Sequence, residues 1–447
     1  MQSNKQPNKV LFWSIVVALG GFLFGFDTAV ISGAERSLEI LWNLTVIQQG
    51  LTVSIALFGT VFGALFGGWP SDKYGRKNTL FFIAILYFVS AVGSAVATDW
   101  YVFLFFRFIG GIGVGISSVT APLYISEVAP AKSRGKLVAL FQFNIVFGIL
   151  IAYLSNYLLA GSGPQDWRWM LGVEAFPALA FLIALFYVPE SPRWLILKRG
   201  KVEEARKTLQ IANPNEDITT LVADIQQSAY EEPGYKKVNF FSSKYKTPIT
   251  LAVLMAIFNQ VSGINAIIYY APRIFEMAGL AKDSALLSSA GIGLVNLIFT
   301  MLALYLIDNF GRKKLMLVGS VGLIITLGFV AKAFYFEEFE SFAVPIYLFV
   351  YIGFFAFSQG AVIWVFISEI FPNKVRAYGQ SLGSFTHWFM AALVAFVFPY
   401  VIDTFGAGNT FMFFCGMMIL QLVFVIRLMP ETKGTSLEQL EKKVVKS

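Results

Sequence analysis

The stretch DKYGRKN at 72–78 returns as DNFGRKK at 308–314, 236 residues further along the chain. Working outward, SEVAPAKSRG at 126–135 returns as SEIFPNKVRA at 368–377, an offset of 242, and PESPR at 189–193 returns as PETKG at 430–434, an offset of 241. Three matches at nearly one spacing, each at the same place between hydrophobic runs, indicate an internal duplication, which has to be recognised before any fold is assigned. The chain therefore reads as two six-helix halves in parallel repeat, and halves of this kind enclose a site near the middle of a bilayer.

The hydrophobic runs agree. Of the 447 residues 57% are hydrophobic and 14% charged, with a mean hydropathy of +0.67; soluble domains carry about 25% charged residues. Runs of about 20 apolar residues, enough to cross a hydrocarbon core of roughly 30 Å, recur at 10–32, 46–69, 78–97, 101–125, 136–159, 168–188, 249–272, 285–307, 315–331, 344–367, 378–401 and 409–429. The fold class is all-α, a polytopic membrane protein of twelve spans. The first run is too long for a signal-peptide core and is expected to be retained. The expected domains are a bundle at 1–188, a linker with short amphipathic helices at 189–247 (KVEEARKTLQI at 201–211 and a second pattern near 216–229), a bundle at 248–430 and a tail at 431–447.

An even number of crossings puts both termini on one side, and that side collects Lys5, Lys9, Lys73, Arg76, Lys77, Lys132, Arg134, Lys136, Arg312, Lys313, Lys314, Lys374 and Arg376, with ten more between 189 and 247. The opposite loops hold only Arg36, Arg168, Arg273, Lys282 and Lys332. By the positive-inside rule both termini are expected to be cytoplasmic, and the net charge of +7 reflects topology rather than nucleic-acid binding. A single Cys415 and a single His387 leave no Cys/His metal site and no disulfide framework. GGIGVG at 110–115 resembles a phosphate loop, but that chemistry needs a preceding strand; inside a hydrophobic span Gly111 and Gly115 are expected to allow close helix packing.

In the loops, Asp72 with Arg76 and Asp308 with Arg312 flank glycine turns, while Glu127 with Arg134 and Glu369 with Arg376 repeat an acid-to-base spacing of seven. They read either as static caps and topology determinants or as inter-half ion pairs that close the inner face in one state and break in the other. These loops also carry a resemblance. With RFIGG from Arg107, PESPRW from Pro189, QVSGIN from Gln260, WVFISEIFP from Trp364 and PETKG from Pro430, the whole chain resembles the sugar porter family of the major facilitator superfamily, including bacterial xylose:proton symporters and facilitative glucose transporters. The resemblance implies an alternating-access fold and a monosaccharide-like substrate.

Counting depth along the spans, Asp27, Arg107 and Glu174 each fall about 8 or 9 Å below the outer boundary at 1.5 Å per residue, so they can meet. A lone charge at that depth costs a few kcal/mol or more, and a shared cluster lowers the cost. A conformational change that altered either the burial of Asp27 or its nearness to Arg107 would alter its hold on a proton. The other reading is a static salt bridge fixing three helices. The resemblance adds that proton-coupled members have Asp at the position of Asp27 where facilitative members have Asn.

The second half holds almost no interior charge but has Asn259, Gln260, Asn265, Asn296, Gln359, Trp364, His387 and Trp388, and the first half has Gln142. Amides suit sugar hydroxyls and aromatic faces suit a sugar ring. The resemblance implies sugar contacts at Gln142, Gln260, Asn265, Asn296 and Trp364, with Phe24, Tyr269, Gly360 and Trp388 lining the path. Asn259 stands where relatives have Gln, Ala361 where they have Pro, and His387 where they have Gln or Asn. His387 could bond a hydroxyl, relay a proton or fill a polar gap, and each amide could instead serve interhelical hydrogen bonding.

The expected activity is proton-coupled uptake of a pentose or hexose, with a sugar uniporter, a proton-coupled polyol transporter and a non-transporting sugar sensor as alternatives. No catalytic constellation, cofactor or metal is expected, the proton being the coupling ion. The partners are a sugar and the bilayer of a cell membrane, and the chain is expected to be monomeric.

Overall fold

The computed structural model describes residues 7–214, 216–231, 239–339, 342–372 and 374–434; Lys5 and the tail beyond 434 lie outside the described residues. Among the described residues, twelve helical stretches are long and apolar enough to cross a membrane: Lys9–Trp42, Val46–Phe66, Arg76–Val96, Trp100–Val128, Arg134–Leu159, Asp166–Tyr187, Ser243–Tyr269, Lys282–Phe310, Arg312–Phe336, Ala343–Ile370, Arg376–Phe405 and Ala407–Arg427. They are called the first to twelfth spans below. The protein is an all-α polytopic membrane protein.

The first span differs from the expected 10–32. Its helix runs Pro7–Trp42, because ERSLEILW continues the helical pattern with Glu35 and Leu38 buried, and nothing stops it before Asn43 turns at φ 47°. Three spans are interrupted where function was expected. The sixth breaks at Val173 and Glu174, between Asp166–Gly172 and Ala175–Ala184, and Pro177 lacks the N–H that would have bonded back to Val173. The seventh breaks between Lys246–Gln260 and Ile264–Tyr269, where Gly263 adopts φ 89°, a conformation that only glycine takes without strain. The tenth passes through a π-helical turn at Ala356–Gly360, a deviation often found at functional sites.

Close packing follows the small residues. A Cβ on Gly115 of the fourth span would lie 2.5 Å from the Ala64 nitrogen of the second, and one on Gly59 would lie 3.1 Å from the Gly111 Cα. The glycine run at 110–115 thus lets two backbones approach, as expected. In the linker, helices Pro192–Arg199, Val202–Ala212 and Ile218–Glu231 share a small core of Trp194, Leu195, Ile196, Ala205, Leu209 and Val222.

The chain forms two compact units, and they do not coincide with the sequence repeats. One comprises Met1–Asp27, Gly59–Ile149 and Leu171–Lys237; the other comprises Thr28–Phe58, Leu150–Met170 and Val238–Ser447. The second unit therefore contains the ends of the first, second, fifth and sixth spans on the side away from the termini, packed with the second repeat. Its internal bonds include Tyr153 Oη to the Ile268 carbonyl at 2.6 Å and Asn156 Nδ2 to the Val30 carbonyl at 3.0 Å.

Candidate functional site

In the first unit Asp27, Arg107 and Glu174 are brought together and buried to between 2 and 3% exposure. Arg107 Nη1 pairs with Asp27 Oδ1 and Nη2 donates to the Asp27 carbonyl at 3.1 Å. Glu174, at the break in the sixth span, lies within electrostatic reach of both. Its Oε1 and the Nε of Arg107 have no hydrogen-bond partner among the described residues, which is uncommon for buried polar atoms. One carboxyl group thus pairs with the guanidinium and a second lies within electrostatic reach of it, so with both carboxyls ionised one added proton neutralises the cluster. The depth count was right in its outcome although the first helix extends ten residues past its assumed end. It missed Tyr87 of the third span, fully buried within electrostatic reach of Asp27 and Glu174; the only signal was a polar pair, Tyr87 and Ser90, three residues apart in an apolar run.

The second unit gathers the amides. Gln260 Nε2 donates to Asn259 Oδ1 at 2.9 Å and lies 3.2 Å from Nδ1 and 3.4 Å from Nε2 of His387. Gln260 Oε1 accepts from Asn265 Nδ2 at 2.6 Å. The His387 ring is 4.7 Å from that of Trp364 and perpendicular to that of Trp388 at 4.8 Å. Trp364 and Asn265 keep exposed surface while Gln260 and His387 are covered, so an aromatic face and an amide remain open beside a saturated hydrogen-bond knot. Tyr269 is buried, and Gly360 ends the π-helical turn.

Asn259 faces away from that opening. Its Nδ2 donates to the Gln359 carbonyl at 3.3 Å, and Gln359 Nε2 donates to Gln421 Oε1 at 2.8 Å. Gln421 was not anticipated, because one Gln in the twelfth span has no pattern to mark it. Asn296 stands apart from the knot, its Oδ1 accepting from Thr300 Oγ1 one turn on at 3.3 Å. Phe24, buried, and Gln142, half-buried, belong to the first unit.

The charged corners are built differently from the expectation. Glu127 does not pair with Arg134, which is exposed, nor Glu369 with Arg376, whose Nη2 reaches only the Phe371 carbonyl at 3.5 Å. Residues seven apart across a helix end point in different directions; the arginine of the glycine turn fills the place instead. Arg76 Nε and Nη2 grip the two oxygens of Glu127, each at 2.9 Å, and Nη1 meets Asp72 at 3.0 Å. Arg312 takes Glu369 the same way at 3.2 and 2.8 Å, with Asp308 at 3.5 Å. These pairs lie within a repeat, not between halves.

The third motif completes each corner. Glu190 accepts from the backbone N–H of Arg76 and Lys77 at 3.0 Å, and Glu431 accepts from those of Arg312 and Lys313 at 3.0 Å. Ser191 Oγ donates to Glu127, and Thr432 Oγ1 to Glu369, both at 2.5 Å. The carboxylates cap the third and ninth spans, where helix dipoles favour negative charge. Burial nevertheless pushes the Glu190 carboxyl above the usual range, opposed by those amides and by Arg76. The three duplicated motifs are thus one duplicated structure.

One cluster escaped the sequence reading. In the second unit Arg273 Nη1 meets Glu35 Oε1 at 2.8 Å and Glu39 Oε2 at 3.1 Å, and Gln49 Nε2 donates to both carboxylates. Glu35 and Arg273 are 238 residues apart, and only the fold puts them together.

Duplicated six-span halves, interior carboxylates beside an arginine and a knot of amides beside tryptophans define a solute carrier of the membrane. A family model described as "Sugar (and other) transporter" matches residues 13–443, and the chain belongs to that family. It is 38% identical over 478 residues to the D-xylose-proton symporter of Escherichia coli strain K12, covering 98% of this chain and 96% of the relative. It is 37% identical over 443 residues to the arabinose-proton symporter of Bacillus subtilis strain 168, covering 98% and 95%. Among solved structures, the inward open conformation of the xylose transporter XylE from E. coli matches with a TM-score of 0.87 and 36% identity, covering 96% of this chain and 99% of that one.

Proposed function

We infer that the protein is a proton-coupled monosaccharide symporter, carrying a pentose or hexose with a proton by alternating access of its two repeats. The observation that carries the reading is the Asp27–Arg107–Glu174 cluster. It puts one carboxyl group on a guanidinium and a second within electrostatic reach of both, in a membrane-spanning bundle where an intramembrane ionisable group is functional by default. Similarity to relatives named for xylose and arabinose symport supports it.

In this reading the sugar is held by the opening beside the amide knot. Trp364 offers its face to the ring and Asn265 meets hydroxyls, while Gln260 and His387 reach them when the sugar displaces a bond of the knot. Asn259 is a positioning residue, tied back to the tenth span. The Arg76 and Arg312 corners brace each repeat as it moves. The termini are cytoplasmic by the lysine and arginine bias, the chain acts as a monomer in a cell membrane, and no cofactor takes part.

The test is uptake in proteoliposomes. Accumulation of a labelled sugar should require an inward-directed proton gradient, and competition by a panel of pentoses, hexoses and polyols should identify the substrate. Equal uptake with and without the gradient would make the protein a uniporter.

A further inference from the structure

The carboxylate cluster and the Arg76 corner sit at opposite ends of the fourth span, and one face of that span joins them. Ser117, Thr120, Tyr124 and Glu127 follow at helical spacing, Arg107 lying ten residues before Ser117, and all but Glu127, whose side chain is still 6% exposed, are fully covered. Tyr87 of the third span adds its hydroxyl, within reach of Ser117 and 3.5 Å from the Gly20 carbonyl, seven residues along the first span from Asp27. At the far end Tyr124 Oη donates to the Pro189 carbonyl at 2.8 Å, beside Glu190. Hydroxyls are thus spaced between one charged group and the other, with gaps between them.

Several of these groups have no protein partner. Thr120 Oγ1, Ser90 Oγ, Ser94 Oγ and Glu174 Oε1 are buried without a hydrogen bond among the described residues, which is costly for a polar atom left dry. Ser90 borders Asp27: a Cβ on Gly110 would touch its hydroxyl and lie 3.8 Å from Asp27 Oδ1. Neighbours on the fourth span are three or four residues apart, about 5 Å at 1.5 Å per residue, the gap that one bridging water spans. Such polar surroundings are where buried water is held.

The second repeat supplies a control within the same chain. At the offset of 242 that aligns Glu127 with Glu369, Thr120 corresponds to Val362 and Tyr124 to Phe366; at the offset of 236, Tyr87 corresponds to Leu323 and Ser94 to Val330. All four counterparts are fully buried. The repeat without interior carboxylates keeps the corner yet places hydrocarbon at these four positions, while Ser117 corresponds to Gln359 and Ser90 to Thr326, so the fold does not need the hydroxyls of Tyr87, Ser94, Thr120 and Tyr124.

We propose that Tyr87, Ser117, Thr120 and Tyr124, with water between them, form a proton relay inside the first repeat, carrying the proton from the Asp27–Glu174 pair to the Glu127–Glu190 corner by a route separate from the sugar path. The proposal rests on the symport reading and gives its proton a path. The step balances: a carboxyl O–H breaks, each hydroxyl or water takes a proton on one side as it gives one up on the other, and a corner carboxylate or bulk water accepts the last. The charged groups along the route are Asp27, Arg107 and Glu174 at one end and Asp72, Arg76, Glu127 and Glu190 at the other.

The test uses the full-length protein in proteoliposomes. Thr120→Val and Tyr87→Leu install the side chains of the second repeat. The double variant should lose proton-gradient-driven sugar uptake at least fivefold, while sugar counterflow without a gradient stays within twofold of wild type and thermal stability does not fall. Thr120→Ser, which keeps the hydroxyl, should retain driven uptake. Driven uptake at the wild-type rate in the double variant overturns the relay, and so does equal loss of driven uptake and counterflow in a folded variant. Should wild type itself ignore the gradient, symport fails and the relay with it.

Discussion

At the residue scale, Asp27 shows how one side chain can set the kind of transport without touching the sugar knot. Arg107 holds its carboxylate through Nη1 and its backbone carbonyl through Nη2, and the charge of Glu174 lies nearby. Asp27→Asn keeps the shape and the carbonyl contact but removes the acid. Proton-driven accumulation should therefore be abolished while sugar counterflow survives; accumulation persisting in liposomes would assign the coupling elsewhere. His387 is the complementary case. It closes one corner of the Gln260 amide and lies between two tryptophans. His387→Gln retains a donor and an acceptor but loses the ring. Since one hydrogen bond is worth roughly 0.5 to 1.5 kcal/mol, KM should rise between about twofold and tenfold, unequally across sugars, with the response to the proton gradient unchanged. A flat selectivity profile would reduce His387 to a filler.

At the scale of elements, the corners separate strong contacts from weak ones. Arg76 contacts Asp72 and Glu127, but the Asp72 side chain is 61% exposed and that of Glu127 only 6%. Exposed ion pairs contribute about 0 to 1 kcal/mol, whereas breaking a buried, two-armed pair costs about 3 kcal/mol or more. Asp72→Asn should leave thermal stability nearly unchanged, while Glu127→Gln should lower it clearly; equal effects in a melting experiment would contradict the burial argument. The turns are as demanding. Gly311 has φ 88°, and a Cβ there would lie 2.8 Å from the Glu431 carboxylate, so Gly311→Ala should destabilise the ninth span's cap by a kcal/mol or more. Much of this was legible: the repeats give the two halves, and glycine with its flanking Asp and Arg gives the turn. The partners of Glu127 and Glu369 were not, because which arginine a carboxylate meets depends on helix direction after the turn, and sequence distance misleads about that. Gln421 and the Glu35–Arg273 pair were invisible for a related reason, being single residues whose meaning comes only from a neighbour 62 or 238 positions away.

At the scale of the whole molecule, the repeats describe ancestry and the compact units describe contact. In the second unit, 28–58 and 150–170 from the first repeat pack with the second repeat, and polar bonds fasten them. Arg273 holds Glu35 and Glu39, Lys282 meets Asp166 at 3.6 Å, and Tyr153 and Asn156 bond to backbone carbonyls. Alternating access requires these bonds to open and re-form in each cycle, so their strength bears on how long the side away from the termini stays closed. Arg273 is the bond with most at stake, because Glu35 is buried to 3% exposure and would be left without its cation. Arg273→Gln should therefore raise hydrogen–deuterium exchange in 28–42 and 264–277 by loosening their contact, with little change at the Arg76 corner. Arg273→Lys, which keeps the charge but replaces the planar, rigid guanidinium with a flexible ammonium, should fall between. Exchange in those two segments indistinguishable from wild type in the Gln variant would show that packing around Tyr153 and Asn156, rather than the ion pair, keeps that side shut.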